Sequence, residues 1–222
     1  MDKFLVKGVK ELSGEINISG AKNAVLPIMA ASLIVPGNFE IVNVPNLRDT
    51  RTMIKLLEII GCKVTYDNKN KLTIDSTQCN NPCAPYELVK TMRASFYVLG
   101  PLLSRFGKSE VSLPGGCAWG PRPVDFHIKA LKEMGVDIDL KSGNIVALVR
   151  PKGTEIFFTK KSVGATGNIL MAAAKANGST VIHNAAKEPE IVALGEFIIM
   201  LGAKIDGLGT DKIIIEPILE EK

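Results

Sequence analysis

Two features of this chain could do chemistry: cations at three equivalent turns, and one thiol in a glycine-rich loop. The turns are Gly20-Ala21-Lys22-Asn23, Lys90-Thr91-Met92-Arg93 and Lys160-Lys161-Ser162-Val163-Gly164. Each leads into a segment of small apolar residues that reads as a buried helix. A helix N-terminus has N–H groups without intrahelical partners and about half a positive charge, so a Lys or Arg placed there makes an anion site. A single Lys at such a turn is ordinarily solvated surface. Three in register point to a shared function.

The thiol is Cys117, within Pro114-Gly115-Gly116-Cys117-Ala118-Trp119-Gly120-Pro121-Arg122-Pro123-Val124-Asp125. So many glycines and prolines rule out regular structure, and the segment reads as a long loop ahead of a helix that starts at Pro123. Arg122 would lower the thiol's pKa and loop exposure would make it reachable, so Cys117 is a candidate acid or nucleophile. Cys62, Cys79 and Cys83 form no regular framework. Cys79 and Cys83 have no second Cys/His pair to complete a zinc site, so all three are expected to be idle thiols. The two imidazoles, His127 and His183, fit no triad or metal spacing. His127 is near enough to Arg122 to meet a ligand, and His183 is expected to be structural. Neither of the common glycine-rich nucleotide loops occurs.

The elements that must position these groups recur with a period of about 70 residues. Strand-like stretches begin at Glu40, Glu110 and Thr180, and small-residue helices open at Ala24, Ala94 and Gly164. The helical segments, Pro27 to Val35, Phe96 to Leu103 and Ile169 to Ala176, close at Gly37, Gly107 and Gly178. A second helical pattern in each unit ends in glycine: Asp49 to Ile60, Pro123 to Met134 and Pro189 to Leu201. Two short strands follow it. With an opening strand at Glu15 to Ile18, Tyr86 to Val89 and Glu155 to Phe158, each unit reads β-α-β-α-β-β. The predicted fold is therefore α/β, with three such repeats about a pseudo-threefold axis, helices inside and sheets outside. The axis would bring the three cationic turns to one end. Lys3 to Gly8 falls outside the repeat and lacks a partner.

Composition limits the alternatives. With 46% hydrophobic and 23% charged residues the chain is globular, and 20 Gly and 12 Pro are too few for a collagen-like protein. A net charge of +4 suits anionic ligands but is too mild for a nucleic-acid surface. The longest apolar run, Ala24 to Val35, is broken by Pro27 and Ser32 and falls short of the ~20 residues of a membrane helix. The opening residues Met1-Asp2-Lys3-Phe4 lack the apolar stretch of a signal peptide. A cytoplasmic protein without nucleic-acid or membrane partners is expected.

Several stretches together resemble the bacterial UDP-N-acetylglucosamine enolpyruvyl transferase family. They are Ser19-Gly-Ala-Lys-Asn-Ala24, Leu88-Val-Lys-Thr-Met-Arg-Ala-Ser95, Ser112-Leu-Pro-Gly-Gly-Cys117, Arg122-Pro-Val-Asp125, Ser162-Val-Gly-Ala-Thr166 and Asn184-Ala-Ala-Lys-Glu-Pro-Glu190. The resemblance runs over essentially the whole chain. It implies an inside-out α/β barrel domain and transfer of the enolpyruvyl group of phosphoenolpyruvate to the sugar 3-hydroxyl, the first committed step of peptidoglycan synthesis. By resemblance, Cys117 is the general acid and the target of the epoxide antibiotic fosfomycin. Lys22, Asn23 and Arg122 would hold phosphoenolpyruvate. Arg93, Arg122, Pro123, Val124, Asp125, Phe126, Lys160, Lys161, Ser162 and Val163 would contact UDP-N-acetylglucosamine. No metal or cofactor is implied.

Ala118-Trp119 departs from the smaller or aliphatic residues of the family after the cysteine. Length departs too, because family members have two similar domains and their aspartate base lies in the second. The implied division is residues 1–19 as a strand segment that belongs with that second domain, and 20–222 as the transferase domain, with repeats at roughly 15–80, 84–150 and 155–218. This chain alone would then be weak or inactive. The alternative is a non-catalytic nucleotide-sugar binding or interaction domain of the same fold.

Overall fold

The computed structural model describes residues 3–67, 69–113 and 124–219. The first repeat contains α1 (Lys22–Ala31), β1 (Asn38–Ile41), α2 (Arg48–Ile60), β2 (Lys63–Tyr66) and β3 (Leu72–Asp75). The second opens with β4 (Cys83–Ala84) and the helical turn α3 (Tyr86–Val89). A 3-10 helix, Arg93–Val98, then runs directly into α4 (Leu99–Phe106). It continues with β5 (Lys108–Ser112), α5 (Asp125–Glu133), β6 (Asp137–Lys141) and β7 (Asn144–Leu148). The third comprises β8 (Glu155–Phe157), α6 (Val163–Ala173), β9 (Thr180–His183), α7 (Pro189–Met200), β10 (Lys204–Asp206) and β11 (Lys212–Glu216).

Each repeat builds its own sheet. The orders are β1-β3-β2, β4-β5-β7-β6 and β8-β9-β11-β10. In the two four-stranded sheets the opening strand is parallel to its neighbour, and all other pairings are antiparallel. The second and third repeats follow the predicted β-α-β-α-β-β order, and the first lacks the opening strand. Leu72 and Ile74, Ile145 and Ala147, and Ile213 and Ile215 point from alternate positions into the core, while the residues between them are more exposed. Period-two patterning thus leaves each sheet one face for helices.

The helices join the repeats. The first repeat meets the second through α1 and the 3-10 helix, the second meets the third through α4 and α6, and the third returns to the first through α7 and α1. Small residues permit this. Every residue of α6 from Ala165 to Ala173 is buried. At Gly100 a Cβ would stand 2.3 Å from the Asn168 carbonyl oxygen, so α4 can approach α6 only with glycine there.

Two expectations need correction. Glu15 to Ile18 forms no strand: residues 3–19 have no regular structure, and Ile16 and Ile18 are 82% and 80% exposed. The chain docks only from Gly20, whose N–H donates to the Asn43 carbonyl at 3.1 Å. Neither isoleucine meets an apolar surface among the described residues, so nothing offsets the entropy of ordering the segment. Tyr86 to Val89 is a helical turn, and the opening strand of that repeat is Cys83–Ala84. Pro85 supplies a helix N-cap position in extended conformation and Glu87 suits the first turn, which outweighs a four-residue alternation too short to commit to a strand.

Candidate functional site

All three turns reach one cavity of about 470 Å³, but only the first two bring cations to its lining, because Lys160 and Lys161 stay outside it. Lys22 and Asn23 reach it from the start of α1, Lys90 to Met92 from the turn before the 3-10 helix, Arg93 and Ala94 from that helix, and Val163 and Gly164 from α6. The pseudo-symmetry inferred from the period therefore appears as a physical convergence. Neither α1 nor the 3-10 helix has a side-chain cap at its N-terminus, so the caps do not occupy the first-turn donors facing this space. In α6, by contrast, Ser162 Oγ accepts from the Ala165 N–H at 3.3 Å.

The cavity's charge is mixed. Lys22 Nζ is 2.9 Å from Asp49 Oδ2, which the first turn of α2 projects into the same space. Lys90 lies across the Tyr86 ring and pairs with Glu87 at 2.5 Å. Glu190, at the start of α7, completes the acidic lining. An anionic ligand could displace Asp49 from Lys22, because the pair is partly solvated and weakly held.

Asn168 and His127 line the cavity as part of a buried polar cluster. Asn168 of α6 accepts from the Gly100 N–H at 2.9 Å through Oδ1, while its amide nitrogen lies 3.2 Å from the Phe96 carbonyl and 3.0 Å from His127 Nδ1. With the Asn168 amide donating, His127 Nδ1 accepts and the ring's proton belongs on Nε2. Phe96 meets the imidazole edge-to-face at 5.0 Å. Burial, and then the charge of Arg93, bring the His127 pKa down to about 3.

The folded state therefore binds fewer protons than the unfolded chain between about pH 6.5 and 3. Stability is complete above that window and falls as pH drops through it, by about 1.4 kcal/mol per pH unit for one such group. Urea unfolding at pH 7 and pH 5 should differ accordingly. His127→Gln, which keeps an acceptor for Asn168, should flatten the difference, and an unchanged slope in that variant would assign the pH effect elsewhere.

Of the residues singled out in the sequence, Lys22, Asn23, Arg93, His127 and Val163 line the cavity. Lys161 is next to it, tied to Asp211 and 3.4 Å from the Ala185 carbonyl. Lys187 also holds Asp211, at 2.7 Å, and the two lysines keep its carboxyl below the usual carboxylate range. Lys160 is exposed beside it. Val124 and Asp125 start α5, and Phe126 packs edge-to-face on Phe158 at 6.5 Å, lining a separate small recess. Cys117, Arg122 and Pro123 lie outside the described residues. Asp49, Glu190 and Asn168 were not anticipated. The available signal for Asn168 was a lone amide inside the otherwise small and apolar run of α6.

Among the described residues no helix is long and apolar enough to cross a membrane. No group of three or more His, Cys, Asp or Glu side chains among them could hold a metal ion. A UDP-N-acetylglucosamine 1-carboxyvinyltransferase of Shewanella piezotolerans is 53% identical over 218 residues, covering 97% of this chain and 52% of the relative. One from Cronobacter sakazakii is 56% identical over the same length and coverage. The chain thus spans about half the length of these curated relatives.

Among solved structures, the enolpyruvyl transferase NikO from Streptomyces tendae superposes with a TM-score of 0.78 at 21% identity, covering 93% of this chain and 48% of that one. An EPSP synthase from Acinetobacter baumannii gives 0.71 at 17%, covering 92% and 47%. At those identities the likeness is one of fold. The model of the EPSP synthase (3-phosphoshikimate 1-carboxyvinyltransferase) family matches residues 6–221, and the chain belongs to that family.

Proposed function

We propose that this chain forms the sugar-nucleotide and cysteine-bearing half of a UDP-N-acetylglucosamine enolpyruvyl transferase. The observation that carries the proposal is the convergence of all three first-helix starts, with Lys22, Asn23 and Arg93, on one cavity. The names of relatives at 53% and 56% identity support the choice of substrates. In fold, the proposal is an inside-out α/β barrel about a pseudo-threefold axis, supported by the cyclic helix contacts and the three outlying sheets.

The transfer adds a sugar hydroxyl to C2 of phosphoenolpyruvate, protonates C3, and expels phosphate from the tetrahedral intermediate. Lys22, with Asn23 and the open first turn of α1, would hold the phosphate and stabilise charge as it leaves. Arg122 would share that load. Cys117 would deliver the proton to C3. Arg93, the stretch from Arg122 to Phe126 and the loop from Lys160 to Val163 would bind the nucleotide-sugar, and neither metal nor cofactor takes part. Residues 1–19 would pair with the second domain, which explains their exposed apolar side chains here.

Phosphate release from phosphoenolpyruvate with UDP-N-acetylglucosamine tests the proposal, using this chain alone and with the separately prepared second domain of a relative. Release is expected only in the mixture. Release by the chain alone would defeat the assignment of the base to the second domain. Absence of release in both would leave a non-catalytic binding domain.

A further inference from the structure

The first repeat closes on a thiol pair remote from the cavity. Cys62 follows Gly61, which ends α2 in the left-handed region at φ 107°. Cys79 lies in the connector between β3 and β4. Their sulfurs stand 2.8 Å apart, and the residues are only 5% and 6% exposed. Sequence spacing had grouped Cys79 with Cys83, but the fold selects Cys62.

The surrounding backbone is held from both sides. The Cys62 N–H donates to the Leu57 carbonyl at 2.9 Å, and the Cys79 N–H to Ser76 at 3.3 Å. Asn80 and Asn81 donate their N–H groups to the Ile60 carbonyl at 3.3 and 3.2 Å, and the Asn81 side-chain amide reaches the Ile59 carbonyl at 3.0 Å. The connector thereby satisfies carbonyls that the end of α2 leaves open. Helix end and connector form one clasp, in which the sulfurs already meet.

The two thiols are also unlike. The hydrogen bond between the two sulfurs pushes Cys62 up and, with the positive charge of Arg105, brings Cys79 below the usual thiol range. Cys79 is therefore the better nucleophile. Thr77, Gln78 and Asn80 around it are exposed, so a small reagent need lift only the connector to reach the sulfur. Cys83 is no rival: burial and Glu110 both push its thiol up.

We infer that Cys62 and Cys79 are a reversible redox modification site, closing to an intrachain disulfide when the protein meets a low-molecular-weight disulfide. The Cys79 thiolate attacks one sulfur of that oxidant. Its S–S bond breaks, one small thiol leaves with a proton, and a mixed disulfide remains. Cys62 then gives up its proton and attacks the Cys79 sulfur, expelling the second small thiol. Two protein thiols are oxidised and one small disulfide is reduced to two thiols. The new bond spans 17 residues, enclosing the β2–β3 hairpin, and restrains the unfolded chain.

The test treats the full chain with oxidised glutathione, blocks remaining thiols in denaturant, and maps peptides by mass spectrometry without reductant. A linked Cys62–Cys79 peptide, two hydrogens lighter than its reduced parts and reversed by dithiothreitol, is expected. Tm should rise by roughly 6–12 °C on closure. Cys83→Ser should keep the link, whereas Cys62→Ser should leave glutathione attached to Cys79. Recovery of both Cys62 and Cys79 as blocked thiols, or of Cys79 linked to Cys83, would overturn the inference. Both outcomes are read on the unsubstituted protein and do not depend on a variant folding.

Discussion

On the function proposed above, Lys22→Ala in the chain mixed with a second domain is expected to lower phosphate release by about 10²- to 10³-fold, the usual loss when one donor to developing negative charge is removed. Lys22 begins α1, where its ammonium adds to the positive end of the helix and is held 2.9 Å from Asp49. Without substrate the carboxylate occupies the cation. On the proposed function the substrate anion takes the carboxylate's place, and a neutral side chain has nothing to transfer. The fold should barely respond, because a surface ion pair contributes about 0–1 kcal/mol. Lys22→Arg should retain more rate than Lys22→Gln, since it keeps the charge. Separate kcat and KM values for phosphoenolpyruvate would check this, and a fall in kcat/KM of less than about tenfold would remove Lys22 from the phosphate site.

Asn168→Leu should cost about 2 kcal/mol or more, because two buried polar groups lose their partner, a third loses one of two, and each unsatisfied group costs about 1–3 kcal/mol. The Gly100 N–H loses its acceptor, the Phe96 carbonyl keeps only the Leu99 N–H, and His127 Nδ1 loses its donor. They belong to α4, the 3-10 helix and α5, so one amide of α6 fastens three elements of the neighbouring repeat. Leucine fits the apolar surroundings of α6 and isolates the polar loss from any cavity effect. For a chain of this size the Tm should drop by roughly 4–8 °C. A change under about 1 kcal/mol in urea unfolding would mean that water or a shifted rotamer replaces the amide. Because the 3-10 helix begins at Arg93, the same substitution should also weaken nucleotide-sugar binding by the surviving folded protein.

Much of the architecture was legible because the repeat writes the same physics three times. Ala24, Ala94 and Gly164 mark helices that must approach closely, and Gly61, Gly107 and Gly202 mark where helices stop. What the period could not carry was the departure of one copy from the others. Glu15 to Ile18 alternates like a strand, yet a strand also needs a partner and a covered face, and neither is encoded locally. Tyr86 to Val89 was too short for its pattern to outweigh Pro85. The cavity's cations were readable, since Lys22 and Arg93 occupy equivalent turns. Asp49, Glu190 and Asn168 were not, because they reach the site from α2, α7 and the middle of α6, and only packing brings those places together. Cys62 and Cys79 were hidden for the same reason. Their meeting depends on how a connector folds back over a helix end.

The division of labour between sheets and helices has a consequence for how the chain folds. Every strand pairing closes within its own repeat, so ladder formation never waits for a distant part of the chain. The apolar contacts do the opposite: α1 is completed by α7, and α4 by α6. Local ladders can form early and with little loop-closure cost, but each leaves an uncovered oily face until the other two arrive. A fragment of one repeat therefore has its hydrogen bonds and lacks its core. Cooperativity in this protein resides in the helices, and the three sheets should be lost together when the helical centre opens.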